Sequence, residues 1–165
     1  MGSLNEYMSE YKKQIERGYI NKAYKGLMEF IMNLRTHFKK KYQDYYVSGN
    51  IYYGYMDMTY FSFSPRSLRE NGLKIALVFV HEKISFEVWL AASNKAIQTK
   101  YWKLFREKWG SKYRIPSSTK GYDSIVECTL IENPDFDDLK GLEDRIEKGT
   151  LKFIDDIQNF LSENQ

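Results

Sequence analysis

Between Leu73 and Ala91 the chain carries its clearest pattern, LKIALVFVHEKISFEVWLA. Ile84, Phe86, Val88 and Leu90 alternate with Ser85, Glu87 and Trp89, the period of a strand with one apolar face. Leu73–Val80 is apolar at nearly every position after Lys74, which suits a strand covered on both sides. His81-Glu82-Lys83 between them predicts a tight turn. Helical spacing takes over elsewhere. Tyr7, Tyr11 and Ile15 predict a helix over Asn5–Arg17 that stops at Gly18. Ala23, Leu27, Phe30, Ile31, Leu34 and Phe38 form one stripe of a longer helix from about Asn21 to Lys40. A third helix, capped by Ser93 or Asn94, reaches Lys108 with Ile97, Tyr101, Leu104 and Phe105 on one side, and Gly110 stops it. After Asn133-Pro134-Asp135, a stripe from Leu139 to Phe160 runs through Gly149-Thr150 without losing phase, which favours one long helix over two.

Two further strands are expected, Ile51–Ser64 with an interruption at Gly54, and Ser124–Ile131 with Val126, Cys128 and Leu130 on one face. Pro65–Gly72 reads as a polar connection with room for one helical turn, and Ser111–Gly121 as a loop. Helix, helix, strands, helix, strand, helix defines an α+β fold. The expectation is a single domain over residues 1–165, with a largely antiparallel sheet of four to five strands packed by N-terminal, middle and C-terminal helices.

Composition narrows the setting. Of the 165 residues 42% are hydrophobic and 28% charged, the balance of a globular chain and not of a disordered one. The 16% of aromatic residues fits either a strand-rich core or a binding surface. A single cysteine, Cys128, excludes an internal disulfide framework and fits a reducing compartment. No apolar stretch approaches the ~20 residues of a membrane helix, and the first residues have no apolar run, so the expected location is cytoplasmic, away from membranes. The net charge of +3 is unevenly spread: residues 127–165 hold eleven acidic and four basic side chains, and the preceding residues hold eleven acidic and twenty-one basic. Such a chain either neutralises itself internally or offers a basic face to an anionic partner.

No phosphate-binding glycine loop or dinucleotide fingerprint occurs, and one cysteine with two histidines cannot make a zinc cluster, so neither a metal nor a cofactor is expected. His37 in a basic helix end and His81 in a turn are not placed to activate a nucleophile, and Cys128 falls on an apolar strand face. Asp57, Glu87 and Glu127 are carboxylates on strands, the material of a magnesium-dependent nuclease. That class has a lysine two positions after its second carboxylate, where this chain has Trp89. A second alternative is nucleic-acid binding by Lys100, Lys103, Arg106, Lys112 and Arg114, interleaved with aromatic residues. Trp102, Trp109 and Tyr113 either cap the core edge or join Tyr52, Tyr53 and Tyr55 around a pocket. The leading expectation is a non-catalytic binding or regulatory module for a small molecule or a protein partner, with an aromatic and polar site of Asp57, Tyr60, Glu87, Trp89, Asn94 and Trp102 beside the sheet.

Several segments carry a resemblance. INKAYKGLMEFIMNLRTHF, SGNIYYGYMDMTYFSFSP, LKIALVFVHEKISFEVWLA with NKAIQTKYWKLF, and DSIVECTLIENPDFDDL with GTLKFIDDIQNFL resemble a family of small bacterial proteins grouped as a domain of unknown function. The similarity spans roughly residues 5–162. It implies a bacterial, intracellular, free-standing domain, and it brings no activity and no catalytic residues with it.

Overall fold

The structure, a computed structural model, describes residues 2–110 and 112–164. By contact density the chain falls into two compact units, one ending at His37 and the other beginning at Phe38.

The first unit is helical. Helix α1 (Leu4–Arg17) begins with a reciprocal cap, in which the Ser3 side chain accepts from the Glu6 amide and the Glu6 carboxylate accepts from the Ser3 amide. It ends at Gly18, whose φ of 80° closes the last turn in the left-handed region. None of its residues is buried. Helix α2 (Tyr19–Lys41) starts two residues earlier than the spacing predicts. Its buried stripe contains the expected Phe30, Ile31 and Leu34, and Lys39, Lys40 and Lys41 occupy the last turn, where cations favour the helix dipole.

The second unit is built on five antiparallel strands in sequence order: β1 (Tyr45–Val47), β2 (Met58–Pro65), β3 (Leu73–Val80), β4 (Ser85–Ala92) and β5 (Ser124–Glu132). Each strand pairs with the next, so every link is local. Three helices belong to this unit: α3 (Arg66–Glu70), α4 (Lys95–Lys108) and α5 (Leu139–Asn164). The last is one uninterrupted helix, as its stripe predicts. Gly149 is tolerated inside it because Leu130 of β5 lies there: a Cβ at Gly149 would come within 2.7 Å of Leu130 Cδ2.

Register sorts the sheet into two faces. Phe61, Leu77, Val88 and Cys128 lie side by side, as do Ile75, Leu90 and Val126. This face is apolar and packs against helices. Phe38, at the end of α2, stacks on Phe63 with ring centres 4.6 Å apart, and Tyr45 stacks on the same ring at 4.8 Å. Ile146, Phe153, Ile154 and Ile157 of α5 are completely buried. A bulge in β5 after Thr129 restores the pairing of Ile131 with Phe86. The opposite face is different in kind. Its rows are Ser62, Ala76, Trp89 and Glu127, then Tyr60, Val78, Glu87 and Thr129.

Two expectations need correction. Ile51–Ser64 is not one strand. Gly54 and Met56 both have positive φ (65° and 63°), and Asp57 Oδ1 accepts from the Tyr55 and Met58 amides at 3.0 and 2.8 Å. The chain therefore turns back, and Tyr52 exchanges both backbone hydrogen bonds with Tyr60 at 2.8 and 3.0 Å. Only Gly fits at position 54, where a Cβ would sit 2.4 Å from both Asp57 Oδ1 and the Met58 carbonyl oxygen. The second correction is β1, a three-residue edge strand for which the sequence has no period long enough to read. The predicted 111–121 loop is also partly ordered by pairing, through a bridge between Arg114 and Glu127; Ser111 lies outside the described residues.

Candidate functional site

Small residues at the middle of the polar face create depth. Ala76, Val78 and Ala91 form the floor of a groove of about 410 Å³, because their side chains stop short while the neighbouring ones stand up around them. Tyr60 and Trp89 wall it, and Tyr52 stacks on Tyr60 with ring centres 4.9 Å apart. One end is closed by the start of α4, where the Asn94 side chain caps the helix through the Ile97 amide at 2.9 Å. Gln98 and Lys95 are fixed there by the Tyr122 carbonyl, at 2.8 and 3.0 Å. Lys74 stands in the groove opposite Ala91, half-buried, and among the described residues it has no ion-pair partner. Past Tyr52, Tyr60 and Lys74 the groove opens into a second depression of about 610 Å³, bordered by Tyr46 with the Arg69 guanidinium 3.7 Å above its ring.

Beyond Trp89 the same face carries a charged cluster. Glu87 is 1% exposed. Its Oε1 accepts from the Trp89 indole at 2.9 Å and from Arg114 Nη2 at 2.8 Å. Arg114 also donates to Glu127 Oε1 from Nη2 and Nε, at 2.9 and 3.1 Å, and to Thr129 Oγ1 at 3.3 Å. Ser124 Oγ donates to the other oxygen of Glu127. Of the three strand carboxylates that a magnesium-dependent nuclease would need together, Glu87 and Glu127 meet on a guanidinium. Asp57 does not join them, because its oxygen closes the turn described above, and those backbone donors hold its carboxyl below the ordinary range. No group of three His, Cys, Asp or Glu that could hold a metal ion occurs among the described residues.

Of the six residues expected to form a ligand site, the structure brings Asp57, Tyr60, Trp89 and Asn94 to the groove. Glu87 lies behind Trp89 in the charged cluster. Trp102 is elsewhere: its indole donates to the Pro116 carbonyl at 2.8 Å and ties down the following loop. Sequence reading missed Lys74 and the floor alanines. Ala76 and Ala91, on two strands otherwise rich in large residues, are the available signal. His81 and Cys128 are engaged in the fold. His81 Nε2 and Thr59 Oγ1 are 2.8 Å apart, with burial lowering the histidine pKa, and burial raises that of the Cys128 thiol.

The basic and aromatic segment is tied largely to its own fold. Lys112 pairs with Asp156 at 3.0 Å, Arg114 with Glu87 and Glu127, and Arg106 donates to the Ser117 carbonyl at 3.3 Å. Trp109 packs on Phe160, and Tyr113 on Phe153, so both cap the core edge and neither lines the groove. Tyr113 also donates to Asp156, which Lys152 reaches at 3.1 Å. Burial alone would raise the Asp156 pKa, but the bonds from Tyr113, Lys112 and Lys152 outweigh it and hold the carboxyl at about 2. The group therefore contributes stability above its ordinary pKa of 3.8 that disappears as pH falls toward 2. Tyr113→Phe removes one of the three donors. Acid unfolding followed by circular dichroism should then begin at higher pH than in the wild type, with Lys152→Met shifting it the same way.

An antiparallel five-strand meander with helices on one face and a groove on the other defines an α+β protein. Across residues 4–161 the chain matches the family model described as Domain of unknown function (DUF7000), and it belongs to that family. No curated protein and no solved structure matches it. None of the helices among the described residues is long and apolar enough to cross a membrane.

Proposed function

We propose that the protein is a non-catalytic binding module that takes a small molecule with a flat ring and an acidic group into the sheet-face groove. The observation that carries this reading is Lys74, a half-buried cation without a carboxylate partner, standing between aromatic walls over a floor of small residues. A ring between Tyr60 and Trp89 would gain stacking, and an acid would gain the charge of Lys74. Asn94 and Gln98 are already held in place, so little ordering would accompany binding. Setting out from the resemblance and the single cysteine, we place this activity in a reducing bacterial cytoplasm.

The test is a thermal-shift titration with benzoate, nicotinate and indole-3-acetate, and with benzamide as the uncharged control. Saturable stabilisation by the acids is expected. It should weaken at least tenfold in Lys74→Met and vanish in Ala91→Phe, which fills the floor. Equal stabilisation by benzamide, persistence in Ala91→Phe, or no shift with any acid would overturn the reading. A single-stranded oligonucleotide belongs in the same experiment, since Lys100, Lys103, Arg106, Lys112 and Arg114 offer the alternative of nucleic acid. Binding through them would fall steeply between 50 and 200 mM salt and drop further in a Lys103→Glu, Arg106→Glu variant.

A further inference from the structure

Glu87 has a second oxygen, and it is anomalous. Oε2 is buried and makes no hydrogen bond. Lys83 Nζ stands 3.7 Å from it on a side chain that is 61% exposed, close enough for an ion pair and too far for a bond. Two residues earlier on the same strand face, Ser85 is 2% exposed and its Oγ is likewise buried without a partner. Both residues line a separate pocket of about 450 Å³, with Lys83, Arg114, Thr129, Glu132 and Asn133 around it, and the two atoms lie just beneath its surface. Two orphaned polar atoms on alternate positions of one strand, and so on one face, are costly, since each gives up water without replacement. They are also complementary to one kind of group. Arg114 has Nε, Nη1 and Nη2 engaged with Glu127, Thr129 and Glu87, so the cluster already has its guanidinium. A donor is what Oε2 lacks.

We infer that this pocket is a binding site for a primary ammonium group, donated to Glu87 Oε2 and Ser85 Oγ, with Lys83 as the internal competitor that the ligand displaces. An ammonium carries three N–H donors on one centre and suits a carboxylate and a hydroxyl on one strand face better than a planar fork does. The carboxylate, itself buried, supplies the charge for a charge-assisted bond. Lys83 sits in the β3–β4 turn with its amine already drawn toward the same oxygen, so the ligand and the side chain are alternatives. The site shares no lining residue with the groove, and the inference stands whether or not the groove reading holds.

The Trp89 indole gives a local reporter, because it donates to the other oxygen of Glu87. Titration of the ¹⁵N-labelled protein with n-propylammonium should move the Trp89 indole resonance saturably and leave those of Trp102 and Trp109 in place. Tetramethylammonium, which has charge but no N–H, should have no such effect. Lys83→Ala should tighten binding about threefold, the contribution of a part-exposed ion pair. Glu87→Gln should weaken it more than tenfold, and Ser85→Ala, which leaves the Arg114 cluster intact, should weaken it several-fold if Glu87→Gln does not fold. An equal response to tetramethylammonium, a non-saturating shift, or a Lys83→Ala variant that binds no better than the wild type would overturn the inference.

Discussion

Arg114→Ala should destabilise the protein by about 3–5 kcal/mol, measured as the shift in urea unfolding, because it strands a carboxylate that is 1% exposed. The side chain it removes is itself 46% exposed, which would ordinarily mark a surface arginine of small consequence. The difference lies in its partners. Glu87 loses its 2.8 Å charged donor and keeps only the Trp89 indole and a lysine 3.7 Å away. Glu127 loses two bonds and is left with Ser124. Two carboxylates that shared one cation are then left facing each other. The cause can be isolated with the double variant Arg114→Ala, Glu87→Gln. A neutral amide needs no counter-charge, so most of the lost stability should return, and the cycle should report a coupling well above the scatter for independent sites. A cost below about 1 kcal/mol for Arg114→Ala would mean that solvent screens the pair, and the cluster would then be surface decoration.

How far this cluster could be read from sequence shows where local patterns stop. The alternation from Phe86 to Leu90 is enough to place Glu87 opposite the apolar face and Trp89 beside it, whereas Ile84, expected on the apolar face, lies in the preceding turn with a φ of 48° and is exposed. The stripe through Gly149 gave one helix, and the cap at Asn94 gave the start of another. These are properties of neighbouring residues. That Glu87 and Glu127 meet on Arg114 depends on the β4–β5 register and its two bulges, and on the bridge that brings residue 114 to the edge of β5. No short window contains that information. The basic run is legible only in part for the same reason: spacing exposes the charges of Lys112 and Arg114, but not the carboxylates of Asp156, Glu87 and Glu127 that pair with them. The turn at Gly54–Asp57 was signalled by its Gly, yet the aromatic and Thr richness around it favoured a continuous strand, and the backbone closure by Asp57 decided otherwise.

The largest contrast should appear on a single strand. Phe63→Ala is expected to cost about 3–5 kcal/mol, and Tyr60→Ala much less, although the residues are three positions apart on β2 and remove similar rings. Phe63 is fully buried, with Phe38, Tyr42 and Tyr45 packed around it at centre distances of 4.6, 5.4 and 4.8 Å, so truncation leaves a cavity that three fixed rings cannot collapse into. Tyr60 stands on the other face, partly exposed, stacked on Tyr52 and bordering the groove. Its loss forfeits that stack, of about 0.5–1.5 kcal/mol, and part of its own burial, and what it opens is continuous with solvent. Chemical denaturation of the two variants measures the asymmetry directly. A sheet face that can lose a large aromatic side chain at small cost has kept it for something other than folding, and the groove is where Tyr60 would act. Equal costs for the two variants would make the polar face as structural as the apolar one, and would take from the binding proposal the freedom of the wall it relies on.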